Sequence, residues 1–325
     1  ATGEGVLAGA EEIEEAPAAA LWAAHLPGVE VTPLRMTFSD EASLSAREWP
    51  DTLQSAAMPP TMLIFADPFS TPIDEVLTSL EDVYPGAIAV GGLVGGGRDQ
   101  GGNRLLLNDM AYDNGLVGVA LSGPVSIRTV VSQGCRPIGD RCVVTRAEQN
   151  VIHELSGQSA LERLQSIFAE LNVRDRELAQ RALHIGIVMN EHRNHFERGD
   201  FLVRNLVGAD RQSGSVAIGD LVKEGQTVQF HVRDADSADE DLHHLLAQER
   251  QRRPKAPLGV LVFSCCGRGR GLFGQPHHDV GVIREQVGGI PLAGFFAQGE
   301  IGPVAGRNYL HGYTASVVLF SEPDR

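Results

Sequence analysis

Short apolar runs that stop at Gly, Asp or Pro dominate the chain. Runs of this length, bounded by turn residues, are typical of buried strands. In the first half they predict strands at residues 61–66, 87–90, 115–121 and 125–131. In the second half they predict strands at residues 184–189, 201–207, 228–232, 258–263, 290–293 and 313–320.

Three segments are predicted to be helical instead. Apolar residues at positions 73, 76, 77, 80 and 83 predict a helix over Ile73–Val83. We expect Ser70 or Thr71 to cap it and Pro72 to take its first position. A second helix is predicted over His278–Val287, and residues 145–171 are predicted to form one or two helices with a break at 155–157.

One order of elements occurs twice along the chain. Strand, helix, strand ending in Gly, loop and strand run from 61 to 121 and again from 258 to 320, where 299–306 is predicted to be the loop. A weaker copy of that loop opens the chain. Chance recurrence of a common α/β pattern is the alternative to duplication. We therefore predict an α+β fold of two closely packed, duplicated α/β units with mixed, mainly antiparallel sheets, because several strands follow one another without a helix. The domains are placed at 1–150 and 151–325, with a binding crevice between them.

Charge and composition narrow the function classes. The net charge of −15 disfavours nucleic acid, whose phosphates need a basic face. An acidic run at 234–241 and a basic one at 250–255 are interpreted as solvated surface. No apolar run reaches the roughly 18 residues that span a bilayer, so no membrane contact is expected. Four cysteines in 325 residues favour reduced thiols in the cytoplasm. The chain starts at Ala1 without Met, and we expect the start of the first domain to be truncated.

The densest chemical cluster follows the strand at 258–263. Cys265 and Cys266 stand beside Arg268 and Arg270, with glycines between them. Glycines expose backbone N–H groups and let a ligand approach, and a guanidinium fork matches a carboxylate. The cluster predicts a site for a small anionic or zwitterionic ligand. The alternative is a Gly-rich turn whose arginines pair with surface acids.

Two further clusters have the same character. Glu300 stands between glycines, after Phe295 and Phe296, and would accept an amine or pair with Arg268. Here the alternative is that the aromatic rings belong to the core and Glu300 caps a turn. A third cluster, at residues 132–139, again puts Cys, Arg and Gly at a strand end, where a hairpin with a buried Cys135 is the alternative.

A cysteine-dependent enzyme is the main rival hypothesis. Arg268 would favour the thiolate of Cys265 or Cys266, with His311 as base and Glu300 orienting it. No local nucleophile motif such as G-x-S-x-G is present. Structural zinc is disfavoured, because the chain has no C-x₂₋₄-C pair.

These motifs resemble the FIST domain family. FSCCGRG at 263–269, PLAGFFAQGEIGP at 291–303 and LHGYT at 310–314 are similar to the C-terminal FIST domain. QGCRPIG at 133–139 and the residues up to 155 are similar to the close of the N-terminal FIST domain, and 201–206 fits the region between. The family occurs in bacterial signal-transduction proteins and eukaryotic F-box proteins and has been proposed to bind small ligands such as amino acids. The resemblance thus implies a sensory role, and the family has no defined catalytic set.

We therefore predict a cytoplasmic small-ligand sensor that is not an enzyme and uses no cofactor or metal. Its partners would be an amino acid or similar molecule and a signalling protein, and an F-box-type interaction scaffold is a second alternative. Arg268 and Arg270 would hold a carboxylate and Glu300 an amine, provided that their two turns face each other across an enclosed hollow. The predicted ligand-binding residues are Arg268, Arg270, Gly267, Gly269, Cys265, Gly294, Phe295, Gly299, Glu300, His311, Cys135, Arg136 and Arg204.

Overall fold

The structure is a computed structural model that describes residues 1–38, 49–50, 59–193, 195–196 and 199–323. The strands in these ranges are β1 (Val6–Ala8), β2 (Glu11–Ile13), β3 (Glu30–Met36), β4 (Thr61–Ala66), β5 (Ile88–Leu93), β6 (Leu105–Leu107), β7 (Met110–Tyr112), β8 (Leu116–Ser122), β9 (Ser126–Gln133), β10 (Cys135–Glu148), β11 (Val151–Leu155), β12 (Gln158–Ser159), β13 (Leu183–Val188), β14 (Phe201–Asp210), β15 (Ser215–Ile218), β16 (Thr227–Arg233), β17 (Gly259–Cys265), β18 (Leu292–Ala297), β19 (Glu300–Val304), β20 (Arg307–His311) and β21 (Thr314–Ser321). The helices are α1 (Ile73–Val83), α2 (Ala160–Glu170), α3 (Val173–Arg181), α4 (Ala235–Arg252), α5 (Arg270–Phe273) and α6 (His278–Val287).

The described chain forms two compact units. The first unit combines Ala1–Ser132 with Asp241–Arg325, and the second unit is Gln133–Glu240. The first unit therefore contains both ends of the chain. The domain boundary that we placed near residue 150 stays a prediction.

The second unit is a closed ring of antiparallel strands. Its order is β10-β16-β13-β14-β15-β11-β12, and an additional pairing of β10 with β11 closes the ring. Apolar side chains fill the interior, and α2 and α3 contribute Ile167 and Ala179 to this core.

The first unit contains two six-stranded sheets with the same construction. The β4 sheet has the order β20-β19-β5-β4-β8-β3, and the β17 sheet has the order β2-β1-β18-β17-β21-β9. In the β4 sheet, β4 runs parallel to β5, which follows α1, and antiparallel to β8. In the β17 sheet, β17 runs parallel to β18, which follows α6, and antiparallel to β21. Position by position, β4 corresponds to β17, β5 to β18, and β8 to β21. The recurrence in the sequence is thus matched by a recurrence of topology, and both copies lie in one unit.

Four layers build the first unit. Helix α1 packs Val76 and Leu80 on the outer face of the β4 sheet. Helices α4 and α6 pack Leu246, Val280 and Ile283 among other side chains on the outer face of the β17 sheet. The inner faces of the two sheets meet in a third apolar cluster. Alternation along β4 produces this division, because successive side chains of a strand point to opposite faces.

The predicted fold class is confirmed: the protein is α+β, with mixed and mainly antiparallel sheets. The helices predicted at Ile73–Val83 and His278–Val287 are present with those bounds. The predicted cap of α1 was wrong, because Pro72 is itself the N-cap and the Ser70 hydroxyl donates to Asp67.

Two predicted segments have a different structure. Residues 145–155 are not helical but form the β10–β11 hairpin, in which Cys142 and Val144 are buried two residues apart and Gln149 takes a left-handed φ of 52° at the turn. The predicted loop at 299–306 is a second hairpin, β19–β20, which turns at Ala305 with a φ of 51°.

The charged run at 234–241 was also wrongly interpreted as solvated throughout. Asp234 and Asp241 at its two ends are buried, 5% and 9% exposed. The Ser132 hydroxyl donates to Asp241 over 2.9 Å, which compensates the buried carboxylate. Within the described ranges no helix has the length and hydropathy to cross a membrane.

Candidate ligand site

The candidate site lies in the first unit, where β17 ends. Cys265 is the last residue of this wholly buried strand, and its carbonyl accepts a 2.7 Å hydrogen bond from the backbone N–H of Arg268. The tight turn directs the Arg268 side chain back into the protein. Arg268 is only 1% exposed, which makes it the largest of the fully buried side chains. A buried guanidinium needs a compensating partner.

Asp279, in the first turn of α6, is that partner. Arg268 Nε and Nη2 each donate to Asp279 over 2.8 Å, and the Ser264 hydroxyl donates to the same carboxylate over 2.8 Å. Burial by itself would raise the pKa of Asp279, but the Arg268 guanidinium outweighs it and holds this pKa well below its ordinary value. The pair is therefore fully ionised in the protein interior.

This geometry corrects the role predicted for Arg268. Two of its three nitrogens are already bound to the chain's own carboxylate, so no open fork faces a ligand. Nη1 remains, and within the described part of the chain it has no hydrogen-bond partner. Asp279 was missed in the sequence, although an acid in the first turn of a predicted helix was a usable signal.

Glu300 opens β19 and is also completely buried. Its Oε2 accepts hydrogen bonds from the Thr314 backbone N–H at 3.1 Å and from the Thr314 hydroxyl at 2.8 Å. Its Oε1 has no partner among the described residues. Burial raises the pKa of Glu300 well above its ordinary value, the nearby Cys265 adds to this, and Arg268 opposes it. Burial therefore favours the neutral form of Glu300 over its carboxylate.

The structure brings Arg268, Cys265 and Glu300 into one buried cluster. Cys265 pairs in register with Ala297 of β18, and Glu300 follows three residues later, across the short connection to β19. Both Arg268 and Glu300 are electrostatically coupled to Cys265. The turn after β17 and the start of β19 thus each place a buried side chain near Cys265. The enclosed hollow that we expected between them stays a prediction.

A further acid enters the cluster from the start of the chain. Glu12 on β2 is 4% exposed, and its Oε1 accepts a 2.9 Å hydrogen bond from the Val280 backbone N–H in α6. Burial raises the pKa of Glu12 to about 7, and the nearby Asp279 adds to this. The backbone N–H of Glu12 donates to His277 Nδ1 over 2.8 Å. No sequence pattern pointed to Glu12, because the contact joins residues 268 positions apart.

Two of the predicted glycines, Gly269 and Gly299, are required by the packing of the chain itself. Gly269 has a φ of 66°, and a Cβ there would lie 2.6 Å from Glu14 Oε2. The Glu14 carboxylate instead accepts a 3.0 Å hydrogen bond from the Arg270 backbone N–H. A Cβ at Gly299 would lie 2.9 Å from Leu310 Cδ1. Half-buried Gly267 lies in the same turn as Gly269.

The other predicted residues are dispersed. The Arg270 side chain is exposed, while Gly294 and Phe295 line a separate groove of the first unit. His311 is 3% exposed and has Nε2 at 3.0 Å from the Gly302 carbonyl oxygen. In the second unit, Cys135 is buried, Arg136 is paired with Asp234 at 2.8 Å and with Asp175, and Arg204 is paired with Asp220 at 2.7 Å. Their roles in ligand binding stay predictions.

A metal centre is not apparent in what the structure describes. Within those ranges, no group of three or more His, Cys, Asp or Glu side chains could hold an ion.

Comparison with known proteins assigns the chain to a family. Residues 1–158 match the model of the FIST N domain, and residues 160–303 match that of the FIST C domain. The chain therefore belongs to the FIST domain family. It is 44% identical over 318 residues to Uncharacterized protein Rv0628c of Mycobacterium tuberculosis, which covers 98% of this chain and 82% of that protein. It is 42% identical over 318 residues to Uncharacterized protein Mb0898c of Mycobacterium bovis, which covers 98% of this chain and 81% of that protein.

Proposed function

We propose that the protein is a sensory module whose first unit binds a small zwitterionic metabolite of the amino-acid type. The observation that carries the proposal is the pair of buried atoms Arg268 Nη1 and Glu300 Oε1, which have no partner in the described chain. Protein interiors satisfy nearly all their polar groups, so such atoms call for an explanation. The association of FIST domains with sensory and signal-transduction proteins supports the same role.

The ligand chemistry follows from the two atoms. An unsatisfied buried polar group costs about 1–3 kcal/mol, and a ligand that bonds to it recovers this free energy. One carboxylate oxygen would accept from Arg268 Nη1, and an ammonium group would donate to Glu300 Oε1. Because Asp279 occupies the rest of the guanidinium, the ligand carboxylate receives a single bond from Arg268 rather than two.

Binding would also release a proton. Burial raises the pKa of Glu300 well above its ordinary value, so the empty site favours the neutral form of this side chain. An ammonium group beside Glu300 favours the carboxylate, because an opposite charge in close contact stabilises the ionised form. The amine is thus recognised together with ionisation of Glu300, which distinguishes zwitterions from simple carboxylates.

The test is a thermal-shift screen of amino acids and their deaminated analogues, followed by titration calorimetry in buffers of different ionisation enthalpy. The diagnostic variant is Glu300→Gln, which resembles the protonated side chain and should leave the melting temperature unchanged. It should remove amino-acid binding, while Glu30→Gln, at the exposed first residue of β3, should bind like the wild type. A ligand at 100 times its Kd should stabilise the wild type by about 2.7 kcal/mol. Equal binding by Glu300→Gln, or no shift with any amino acid, would refute the proposal.

The cysteine-dependent alternative deserves its own measurement, since Cys265 lies in the same cluster as Arg268 and Glu300. A ligand found in the screen is incubated with the protein and then analysed by mass spectrometry. A sensor returns the molecule unchanged. Consumption of the ligand that is lost in Cys265→Ala would establish the enzyme instead.

A further inference from the structure

The first unit has an open groove of about 640 Å³, distinct from the polar cluster. Its walls are inward-facing side chains of both sheets: Leu63 and Phe65 from β4, and Leu261 and Phe263 from β17. The segments at 1–6 and 16–22, together with Leu106 and residues 293–295, complete the lining. This volume is within the range of about 300–1,000 Å³ that is usual for small-molecule sites.

The two walls are equivalent parts of the repeated topology. Ile64 pairs with Gly91, and Val262 pairs with Gly294. A Cβ on either glycine would lie 1.8 Å from the carbonyl oxygen of its partner, so the two pairs occupy the same place in their sheets. By this register Leu63 corresponds to Leu261 and Phe65 to Phe263. The groove therefore lies where the two copies meet.

The lining is aromatic and almost uncharged. Phe65, Phe263 and Phe295 contact one another, with ring centroids 5.8, 5.6 and 5.4 Å apart. Among the described lining residues, Glu4 carries the single charged side chain. Its Oε1 already accepts hydrogen bonds from Gln298 Nε2 at 3.0 Å and from the Gly96 backbone N–H at 3.2 Å. The α-amino group of Ala1 belongs to the lining too, and burial lowers the pKa of this amine, which favours its uncharged form. The groove thus offers no side-chain cation to an anionic ligand.

We propose that this groove binds a neutral, mainly apolar small molecule that contains an aromatic ring. The ring would join the cluster of three phenylalanines, whose rings meet in tilted or edge-to-face contacts, since aromatic rings favour such contacts at centroid separations of about 4.5–7 Å. The absence of a lining side-chain cation disfavours fatty acids and other apolar anions. The site is independent of the zwitterion site proposed above, because none of Arg268, Cys265 or Glu300 lines the groove.

The experiment uses N-phenyl-1-naphthylamine, an uncharged aromatic probe whose fluorescence rises in apolar surroundings. We expect saturable binding at one site per chain, and much weaker binding of the anionic probe 1-anilinonaphthalene-8-sulfonate. Leu106 and Met110 supply a matched pair of variants, because both are on the β6–β7 hairpin and are 59% and 58% exposed, but only Leu106 lines the groove. Leu106→Glu should weaken probe binding about tenfold, because a carboxylate at the rim must lose water when the probe binds. Met110→Glu should bind the probe like the wild type.

A second pair fills the groove instead of charging its rim. Ala20 lines the groove and packs on the apolar cluster between the inner faces of the two sheets. Ala23, three residues further along the chain, is exposed and does not line the groove. Ala20→Phe should abolish probe binding and Ala23→Phe should not, with melting temperatures checking that both variants fold. Unchanged affinity in Leu106→Glu and Ala20→Phe, or equal binding of the anionic probe, would overturn the proposal. Glu300→Gln should leave probe binding intact, so failure of the zwitterion site and failure of the groove are separate results.

Discussion

The buried ion pair of Arg268 and Asp279 gives the sharpest stability prediction. Both side chains are completely inaccessible, and two hydrogen bonds of 2.8 Å join them. Asp279→Asn keeps the volume of the side chain but removes its charge. It leaves the guanidinium ionised in the interior, with an amide nitrogen facing one of its N–H groups. Removing one partner of a buried pair costs roughly 3–5 kcal/mol.

Urea unfolding followed by tryptophan fluorescence measures this cost. The chain's two tryptophans, Trp22 and Trp49, both belong to the first unit, so the signal reports the unit that contains the pair. With a slope of about 2 kcal/mol/M, a loss of about 4 kcal/mol lowers the urea midpoint by about 2 M. The matched control is Glu322→Gln, which breaks the ion pair between Glu322 and Lys255. The side chain of Lys255 is 71% exposed and that of Glu322 is 54% exposed.

The control should cost less than about 1 kcal/mol, as exposed ion pairs do. The decisive quantity is the difference between the two variants. If Asp279→Asn shifts the midpoint no more than Glu322→Gln, Arg268 is not held as a buried cation by Asp279. The single-donor role that we assign to Arg268 in ligand binding would then be wrong as well.

Two further perturbations test other parts of the fold. In the second unit His184 and His231 are paired across β13 and β16, and burial lowers the pKa of each to about 4. Well above pH 6.5 both rings are neutral in the folded and in the unfolded chain, so their titration costs no stability there. As the pH falls from 6.5 towards 4 the unfolded chain binds protons first, and the free energy of unfolding decreases by up to roughly 3 kcal/mol per ring. Urea melts followed by circular dichroism should show this loss, and His231→Phe should reduce it. In the first unit, Gly294→Ala should lower the melting temperature by several degrees, because its Cβ would lie 1.8 Å from the Val262 carbonyl oxygen. The control is Gly281→Ala, at an exposed position of α6 where a Cβ would have no atom within 4 Å, and it should be neutral or stabilising. Equal effects of the two substitutions would refute the packing argument.

Local pattern predicted the elements whose apolar residues keep one period. In α1 the buried residues Ile73, Val76, Leu77 and Leu80 follow the helical spacing, and the predicted bounds are those observed. Helix α4 was missed because it begins acidic and ends basic, and the four-residue spacing of Leu242 and Leu246 was the usable signal. Hairpins with left-handed turn residues other than Gly, such as Gln149, carry no strong turn signature.

The candidate site was predictable only in part. Arg268 and Glu300 were identified from residue type and neighbouring glycines, and both belong to the buried cluster. Their burial was not foreseen, because an Arg or Glu is seldom fully buried and sequence alone does not show where its partner comes from. Asp279 and Glu12 reach the cluster through tertiary packing, and Glu12 does so from the opposite end of the chain.

The two copies in the first unit differ chemically at equivalent positions, and this difference locates the proposed zwitterion recognition. The register that equates Ile64 with Val262 also equates Asp67 with Cys265. In the first copy, Asp67 accepts from Asn103 Nδ2 at 2.9 Å and from the Ser70 hydroxyl at 2.6 Å, so both oxygens of this buried carboxylate are satisfied. At the Cys265 end, Arg268 in the turn after β17 and Glu300 of β19, which belongs to the β4 sheet, each retain a buried atom with no partner in the described chain. The same strand end thus occurs twice in the repeated fold, and the polar atoms without partners beside Cys265 are those that the proposed ligand would complete.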